Sequence, residues 1–139
     1  MQPFFLVYAS IANQDFSPEQ LLELLAVSRR NNEKSGITGM LLYKERRFLQ
    51  VLEGEESAVR ATYARIERDP RHRDVVLLIT GAEQEREFGD WSMAFHELDD
   101  ETARNTPGFS PFLDAELSPQ QFQDDPSRAR QLLRIFRRI

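Results

Sequence analysis

The sequence predicts an α+β fold in which two helices pack on one face of a mixed sheet. Residues 1–98 contain five short runs of β-prone apolar residues and two amphipathic helical segments. Their order along the chain is β-α-β-β-α-β-β, which is typical of a ferredoxin-like arrangement. We therefore expect one domain over residues 1–98, followed by a connection and C-terminal helices over residues 99–139.

The first two elements are a strand and a helix with clear boundaries. FFLVYAS predicts a strand at residues 4–10. Ser17, Pro18 and Gln20 then supply an N-cap serine, a proline at the first helical position and a capping-box glutamine. Leucines follow at helical spacing on one stripe, and we expect the helix to end before Gly36.

A hairpin and a second helix come next. ITGMLLY (37–43) and FLQVLE (48–53) are predicted strands that are joined by the polar residues KERR. Glu56 and Ser57 can cap a helix in which apolar side chains recur with the 3.6-residue period. Pro70 lies just beyond the expected end of this helix.

The remaining pattern predicts two strands and a C-terminal extension. VVLLIT (75–80) is a strand, and so is the stretch at 91–95, where Trp91 and Met93 share one face. Residues 99–139 begin as an irregular acidic connection and contain two proline-marked helix starts. The last predicted helix carries an apolar stripe that needs cover, formed by Leu132, Ile135, Phe136 and Ile139.

Composition and charge argue against several classes of protein. The 139 residues include no cysteine, which excludes a disulfide scaffold, thiolate metal sites and cysteine nucleophiles. His72 and His96 are the only histidines, and no carboxylates stand at ligand spacing around them. A net charge of −5 argues against direct binding of nucleic acid. Since no signal peptide and no apolar run of membrane-spanning length are evident, we expect a cytoplasmic protein without membrane contacts.

Polar side chains occupy positions at which the pattern predicts a core. Gln50 shares a strand face with Phe48 and Leu52, and an unpaired buried amide costs about 1–3 kcal/mol. Each such residue has an ordinary explanation, such as a core tyrosine, an asparagine at a helix end or a surface ion pair. Together they predict a slot between the helices that is apolar along its length and polar at one end, suited to a flat ligand. These residues are Tyr8, Ser10, Ser28, Asn31, Asn32, Gln50, Arg65 and Asp69.

Five segments in order carry a resemblance to a known family. They are FLVYAS, SRRNNEKSGITGMLLY, RFLQVLEGE, RIERDPRH and FGDWSM, and they extend over residues 4 to about 98. Together they resemble the BLUF family of blue-light receptors, in which a flavin ring lies between the two helices of a ferredoxin-like domain. The resemblance implies a photoreceptor without enzymatic activity that binds FAD non-covalently. FMN stays an alternative because no motif here would read the adenosine.

The resemblance also implies roles for individual residues. Gln50 matches a switch glutamine that is bonded to the flavin and to Tyr8, while Trp91 and Met93 match a mobile pair near it. Light would drive an electron from Tyr8 to the flavin and a proton through Gln50, whose amide is left rotated or tautomerised. The implied cofactor-binding residues are Ser28, Asn31, Asn32, Gln50, Arg65, Ile66 and Asp69.

The output of such a receptor would pass to a separate protein. Residues 99–139 are too short for a cyclase or a phosphodiesterase, so the resemblance implies a separate effector protein, and we expect a homo-oligomer. Residues 126–139 hold five arginines and no acid, which either complement a helix dipole or attract an acidic partner. Two alternatives stay open, a non-photoactive ferredoxin-like binding or regulatory module and an acylphosphatase-like hydrolase. The hydrolase would need a phosphate-cradling loop with an arginine, which ASIANQDF lacks.

Overall fold

One mixed five-stranded sheet forms the centre of the fold. The computed structural model describes residues 2–44, 46–82, 85–86 and 94–97. Their elements are β1 (Phe4–Ala12), α1 (Pro18–Ser35), β2 (Thr38–Lys44), β3 (Arg47–Gly54), α2 (Glu56–Glu67), β4 (His72–Ala82) and β5 (Ala94–Glu97). The strand order is β4-β1-β3-β2-β5, with β5 parallel to β2 and the other neighbours antiparallel. The predicted element order and the ferredoxin-like α+β fold are confirmed.

Alternation along the strands gives the sheet two apolar faces. Tyr8 of β1 pairs with Gln50 of β3, which pairs with Leu41 of β2, so these three side chains lie on one face. Leucines of α1 and Val59 of α2 pack into the same core cluster as that face. Both helices therefore cover one side of the sheet. The opposite side carries its own buried apolar residues, which include Val7, Met40, Leu42, Leu49 and Val51.

The two helices differ in how their ends are satisfied. The Ser17 hydroxyl accepts the N–H of Gln20 at 3.1 Å, and the Gln20 side chain accepts the N–H of Ser17 at 2.9 Å, which confirms the predicted capping box. Gly36 ends α1 in the left-handed conformation. In contrast, the N-cap residue of α2 is Glu55, whose side chain makes no capping hydrogen bond to the helix. The predicted cap at residues 56–57 is wrong, because the helix already begins at Glu56. The Ser57 hydroxyl instead donates to the Glu55 carboxylate at 2.9 Å.

Two neighbouring strands, β1 and β4, are longer than predicted. β1 extends to Ala12 and β4 begins at His72, since these two residues pair with each other. Trp91, Met93 and residues 99–139, with the predicted C-terminal helices, lie outside the described residues. Within the described ranges, neither helix is long and apolar enough to cross a membrane.

Two glycines provide a matched test of the sheet packing. A Cβ atom on Gly39 would lie 2.0 Å from the backbone oxygen of Val51, so any side chain forces β2 and β3 apart. A Cβ atom on Gly36 meets nothing within 4 Å, although its φ of 66° disfavours a side chain. We expect Gly39→Ala to lower the free energy of unfolding by about 2–3 kcal/mol, and Gly36→Ala by about 1 kcal/mol. Chemical denaturation measures both values, and equal losses would contradict the close approach of the two strands.

Candidate functional site

A cavity lies between α1 and α2, above the central strands of the sheet. Ser10 of the predicted slot does not line this cavity, but every described residue that the family resemblance implies at the site does. These are Tyr8, Ser28, Asn31, Asn32, Gln50, Arg65, Ile66 and Asp69. Trp91 and Met93, the other predicted pair, lie outside the described residues. Side chains from two helices and two strands thus converge on one space, although they are spread over more than sixty positions of the chain.

The floor of the cavity contains a buried cross-strand hydrogen bond between Tyr8 and Gln50. The Tyr8 hydroxyl donates to the Oε1 atom of Gln50, and both side chains are almost fully buried. The two residues face each other because β1 and β3 are antiparallel and in register at this point. Since the amide oxygen points to Tyr8, the NH₂ end of the amide lies away from Tyr8. The protein itself therefore supplies a hydrogen-bond donor to the amide oxygen of Gln50.

The phenol of Tyr8 is strongly disfavoured from ionising. Burial raises the pKa of Tyr8 well above its ordinary value, and the neighbouring Tyr63 and Asp69 raise it further. The ring of Tyr63 lies 5.5 Å from that of Tyr8 between centroids, and the ring of His72 lies 6.5 Å away at a near-perpendicular angle. Tyr8 is thus a neutral hydrogen-bond donor in an aromatic environment.

The wall formed by α1 supplies amide groups. Ser28, Asn31 and Asn32 lie within about one helical turn and all line the cavity. Asn32 is only 3% exposed and lies inside the helix, whose left-handed end is at Gly36. The ordinary explanation of Asn32 as a helix-ending residue therefore fails. A buried amide at a cavity wall is suited to a ligand edge that both donates and accepts hydrogen bonds.

The wall formed by α2 supplies charge. Arg65 and Asp69 are four residues apart but are not paired, because Asp69 binds the guanidinium Nε of Arg71 at 2.9 Å and 3.0 Å. This interaction holds the pKa of Asp69 below its usual range. Arg65 donates to the Thr62 hydroxyl at 3.4 Å, and no carboxylate among the described residues pairs with it. The cavity is therefore lined by one cation without an acidic partner, next to a neutralised carboxylate.

Sequence reasoning did not single out several residues that line the cavity. Arg71 and His72 follow Pro70 at the start of β4, and Thr62 lies one turn before Ile66. Arg71 and His72 stand in the segment RIERDPRH, and Thr62 belongs to the stripe of α2, so both signals were present in the sequence. Five apolar residues complete the walls, namely Phe16, Leu24, Val27, Leu41 and Phe48. The described residues include no group of histidine and acidic side chains that could hold a metal ion.

These features fit the isoalloxazine ring of a flavin. Apolar side chains on both helices and on the sheet would contact the flat faces of the ring. Amides from Asn31, Asn32 and Gln50 would meet its polar edge, where carbonyl and N–H groups alternate. The Arg65 guanidinium, which pairs with no carboxylate among the described residues, adds a donor that suits the oxygen-rich chain or the phosphate of such a molecule.

Comparison with protein families decides the assignment. Residues 4–94 match the family model BLUF, described as sensors of blue light using FAD. The chain belongs to the BLUF family. Members of this family are described as sensors of blue light that use FAD. Membership therefore disfavours both alternatives, a non-photoactive binding module and a hydrolase.

Two curated relatives show in which proteins BLUF domains occur. The blue light- and temperature-regulated antirepressor BluF of Escherichia coli K12 is 34% identical over 100 residues, which are 68% of this chain and 25% of that protein. The photoactivated adenylate cyclase subunit alpha of Euglena gracilis is 38% identical over 96 residues, 67% of this chain and 9% of that protein. This chain therefore spans a quarter or less of the length of these relatives.

Solved BLUF structures of similar length support the fold over most of the chain. The dark-state structure of BlrB, a BLUF protein, is 26% identical in sequence and superposes with a TM-score of 0.76. The superposition covers 98% of this chain and 96% of the BlrB chain. The photo-activated state of BlsA gives a TM-score of 0.72 at 30% identity, with 87% of this chain and 89% of BlsA covered. The similarity thus includes proteins that this chain matches over nearly their full length.

The raised pKa of Tyr8 predicts a missing step in an alkaline titration. An exposed tyrosine ionises near pH 10, whereas Tyr8 should remain protonated well above pH 10 as long as the fold persists. Tyr8→Phe should therefore leave the phenolate absorbance unchanged over this range. Because ionisation is easier in the unfolded chain, Tyr8 also makes the fold less stable as pH rises above about 10. Loss of one phenolate equivalent in the variant would contradict the buried, neutral phenol.

Proposed function

We propose that this chain is a blue-light photoreceptor that holds FAD non-covalently between α1 and α2, with Tyr8 and Gln50 as its switch. The observation that carries the proposal is the buried Tyr8–Gln50 hydrogen bond in the floor of the cavity. Asn32 and Asn31 would bind the polar edge of the ring, and Ser28, Ile66 and Asp69 would line it. Arg65 would bind the ribityl chain or a phosphate, a contact that FMN could share.

The hydrogen bond defines the path of the proton. When bound and excited by blue light, a flavin is a strong one-electron oxidant. Among the described residues, Tyr8 is the one tyrosine that lines the cavity, and it cannot ionise beforehand because burial raises its pKa. Loss of an electron makes a phenol strongly acidic, so the proton leaves the Tyr8 oxygen along the existing bond to Oε1 of Gln50. Tyr8 therefore gives up its electron and its proton together.

The reaction would change the hydrogen bonds of the Gln50 amide. After the electron and the proton have returned, the amide is left rotated or tautomerised, with its donor and acceptor ends exchanged between Tyr8 and the cavity. Such a switch requires that both arrangements keep the amide hydrogen-bonded and that their free energies lie close together. Water is kept away because Gln50 is only 4% exposed and Phe48 and Leu41 stand beside it. A buried amide with two bonded arrangements is a local two-state element that light can reset.

Three variants test these roles. We expect the wild-type protein to purify yellow and to show a small, reversible red shift of the flavin absorption under blue light. Tyr8→Phe removes the donor and Gln50→Leu removes the relay, so both should bind flavin but form no red-shifted state. Asn32→Ala is the matched control, since it should weaken flavin binding by about tenfold yet leave the red shift intact in the bound fraction. A normal red shift in either switch variant would refute the assignment, and a colourless wild type that takes up no flavin would refute the function.

We further propose that the signal leaves through protein contacts rather than through an enzymatic activity of this chain. Two relatives are named as an antirepressor and as an adenylate cyclase subunit, which indicates that BLUF domains serve different outputs. The partner of this chain is proposed to be a separate effector protein or a second copy. Residues 99–139 are proposed to cover the second sheet face, whose buried residues such as Met40 and Val51 need apolar contacts. Trp91 and Met93 would connect the switch to this segment.

Deletion of residues 119–139 tests the proposed role of the C-terminal segment. If the segment covers the sheet, the shortened protein should aggregate or bind a dye for exposed apolar surface, while keeping its yellow colour. Its light-minus-dark hydrogen-exchange pattern should also lose the differences on the second sheet face. A truncated protein that stays monodisperse and keeps the full exchange pattern would show that the segment neither covers the sheet nor carries the signal.

A further inference from the structure

We propose that His72 is a positioning residue for the photochemistry, which it serves by holding Tyr8 and the end of α2 in place. The inference rests on the proposed function, because it concerns the geometry of the Tyr8–Gln50 switch. His72 is the first residue of β4 and lines the cavity. It was not among the residues predicted to bind the cofactor, and the contacts of its ring give it a different task.

Both nitrogens of the His72 ring are engaged by the protein. Nδ1 lies 2.9 Å from the hydroxyl oxygen of Ser10, and Nε2 is hydrogen-bonded to the backbone oxygen of Ile66. A carbonyl oxygen can only accept, so Nε2 must carry the proton. The ring therefore has no free nitrogen to offer to a ligand, and any effect on the switch must act through its neighbours.

The bond to Ser10 is compatible with either charge state of His72. When the ring is neutral, the Ser10 hydroxyl donates to Nδ1, and when the ring is protonated, the same hydroxyl accepts from it. The facing charged group is the Asp69 carboxylate, which is held by Arg71. The clamp, defined as Ser10, His72 and the backbone oxygen of Ile66, thus keeps both of its bonds whether or not the ring carries a charge.

The clamp joins β1, the strand that carries Tyr8, to α2. Ser10 lies two residues beyond Tyr8 on the same face of β1, and it is only 3% exposed. Ile66 belongs to the α2 wall of the cavity. The His72 ring meets the Tyr8 ring nearly edge-on, with 81° between their planes. Movement of His72 would therefore change both the position of the Tyr8 ring and the distance between β1 and α2.

This geometry bears on the rate of the light reaction. Electron and proton transfer from Tyr8 require it to stay within hydrogen-bonding distance of Gln50, and small displacements of reacting groups slow such steps steeply. Loss of the clamp should leave the cavity and its amides intact while allowing Tyr8 to sample other positions. The expected result is a lower yield of the light state with little change in flavin affinity.

Two variants break the clamp in different ways, and a third is the control. Ser10→Ala removes one bond and keeps the ring, whereas His72→Phe keeps a ring and removes both bonds. Thr38→Val removes a hydroxyl that bonds Glu53 at 3.1 Å on the opposite face of the sheet. His72→Gln is the rescue variant, because its amide can again donate to Ile66 and accept from Ser10. All are made in the full chain and purified with FAD.

The first measurement is fluorine NMR of dark protein that carries 3-fluorotyrosine. The chain has three tyrosines, which gives three resonances that single Tyr→Phe variants assign. Ser10→Ala and His72→Phe should shift or broaden the Tyr8 resonance and leave that of Tyr43 unchanged. The second measurement, on unlabelled protein, is the quantum yield of the red-shifted state, which should fall at least about threefold in both variants and recover partly in His72→Gln. Thr38→Val should change neither quantity.

The outcomes separate this inference from the proposed function. A wild type without a red-shifted state would refute the proposed function, while the Tyr8 resonance would still test the clamp. If the resonance and the yield are unchanged in Ser10→Ala and His72→Phe, the clamp does not position Tyr8. The same conclusion follows if Thr38→Val alters them equally. If His72→Phe does not fold, Ser10→Ala alone decides.

Discussion

The antiparallel register of β1 and β3 is the constraint on which the candidate site depends. It sets Tyr8 opposite Gln50 and directs both side chains to the face that the helices cover. A slip of one residue would turn either side chain to the opposite face, because side chains alternate along a strand. The slip would also turn Glu53, which is buried on the far side and accepts a hydrogen bond from Thr38 there, into the apolar core under the helices. The pairing that forms the switch is thus protected by the whole pattern of the sheet.

Burial and charge divide the cavity into regions of different character. Gln50 and Asn32 are nearly inaccessible, and their amides lie among apolar side chains, where a hydrogen bond is strong and an unmade one is costly. At the end of α2, Asp69 is neutralised by Arg71 and leaves Arg65 without an acidic partner among the described residues. A ligand that is flat and apolar along its faces, and polar and anionic at its periphery, satisfies both regions.

Much of this arrangement could be predicted from local pattern, and the exceptions have a common cause. The limits of α1 could be predicted from three residues alone, because a capping box and a left-handed glycine depend only on local sequence. These residues are Ser17, Gln20 and Gly36. The orientation of Gln50 toward the core could be predicted from strand alternation alone. The contacts of His72 could not be predicted, because Ser10 is brought to it by the pairing of β4 with β1 and Ile66 by the turn that follows α2. The ion pair of Asp69 was likewise not predictable from spacing along a helix. Asp69 pairs with Arg71 rather than with Arg65, because the turn after α2 places the Arg71 guanidinium beside it.

The unequal ends of the two helices have a kinetic consequence. α1 has 18 residues, a complete capping box and a left-handed C-terminal glycine, whereas α2 has 12 residues and no side-chain cap at its start. Elements with fewer buried groups and unsatisfied ends open locally at a lower free energy than the sheet beneath them. We therefore expect the uncapped first turn of α2, which begins at Glu56, to open more often than the capped first turn of α1. Such opening would leave the paired strands that carry Tyr8 and Gln50 folded, because β1 and β3 lie inside the sheet rather than at its edge.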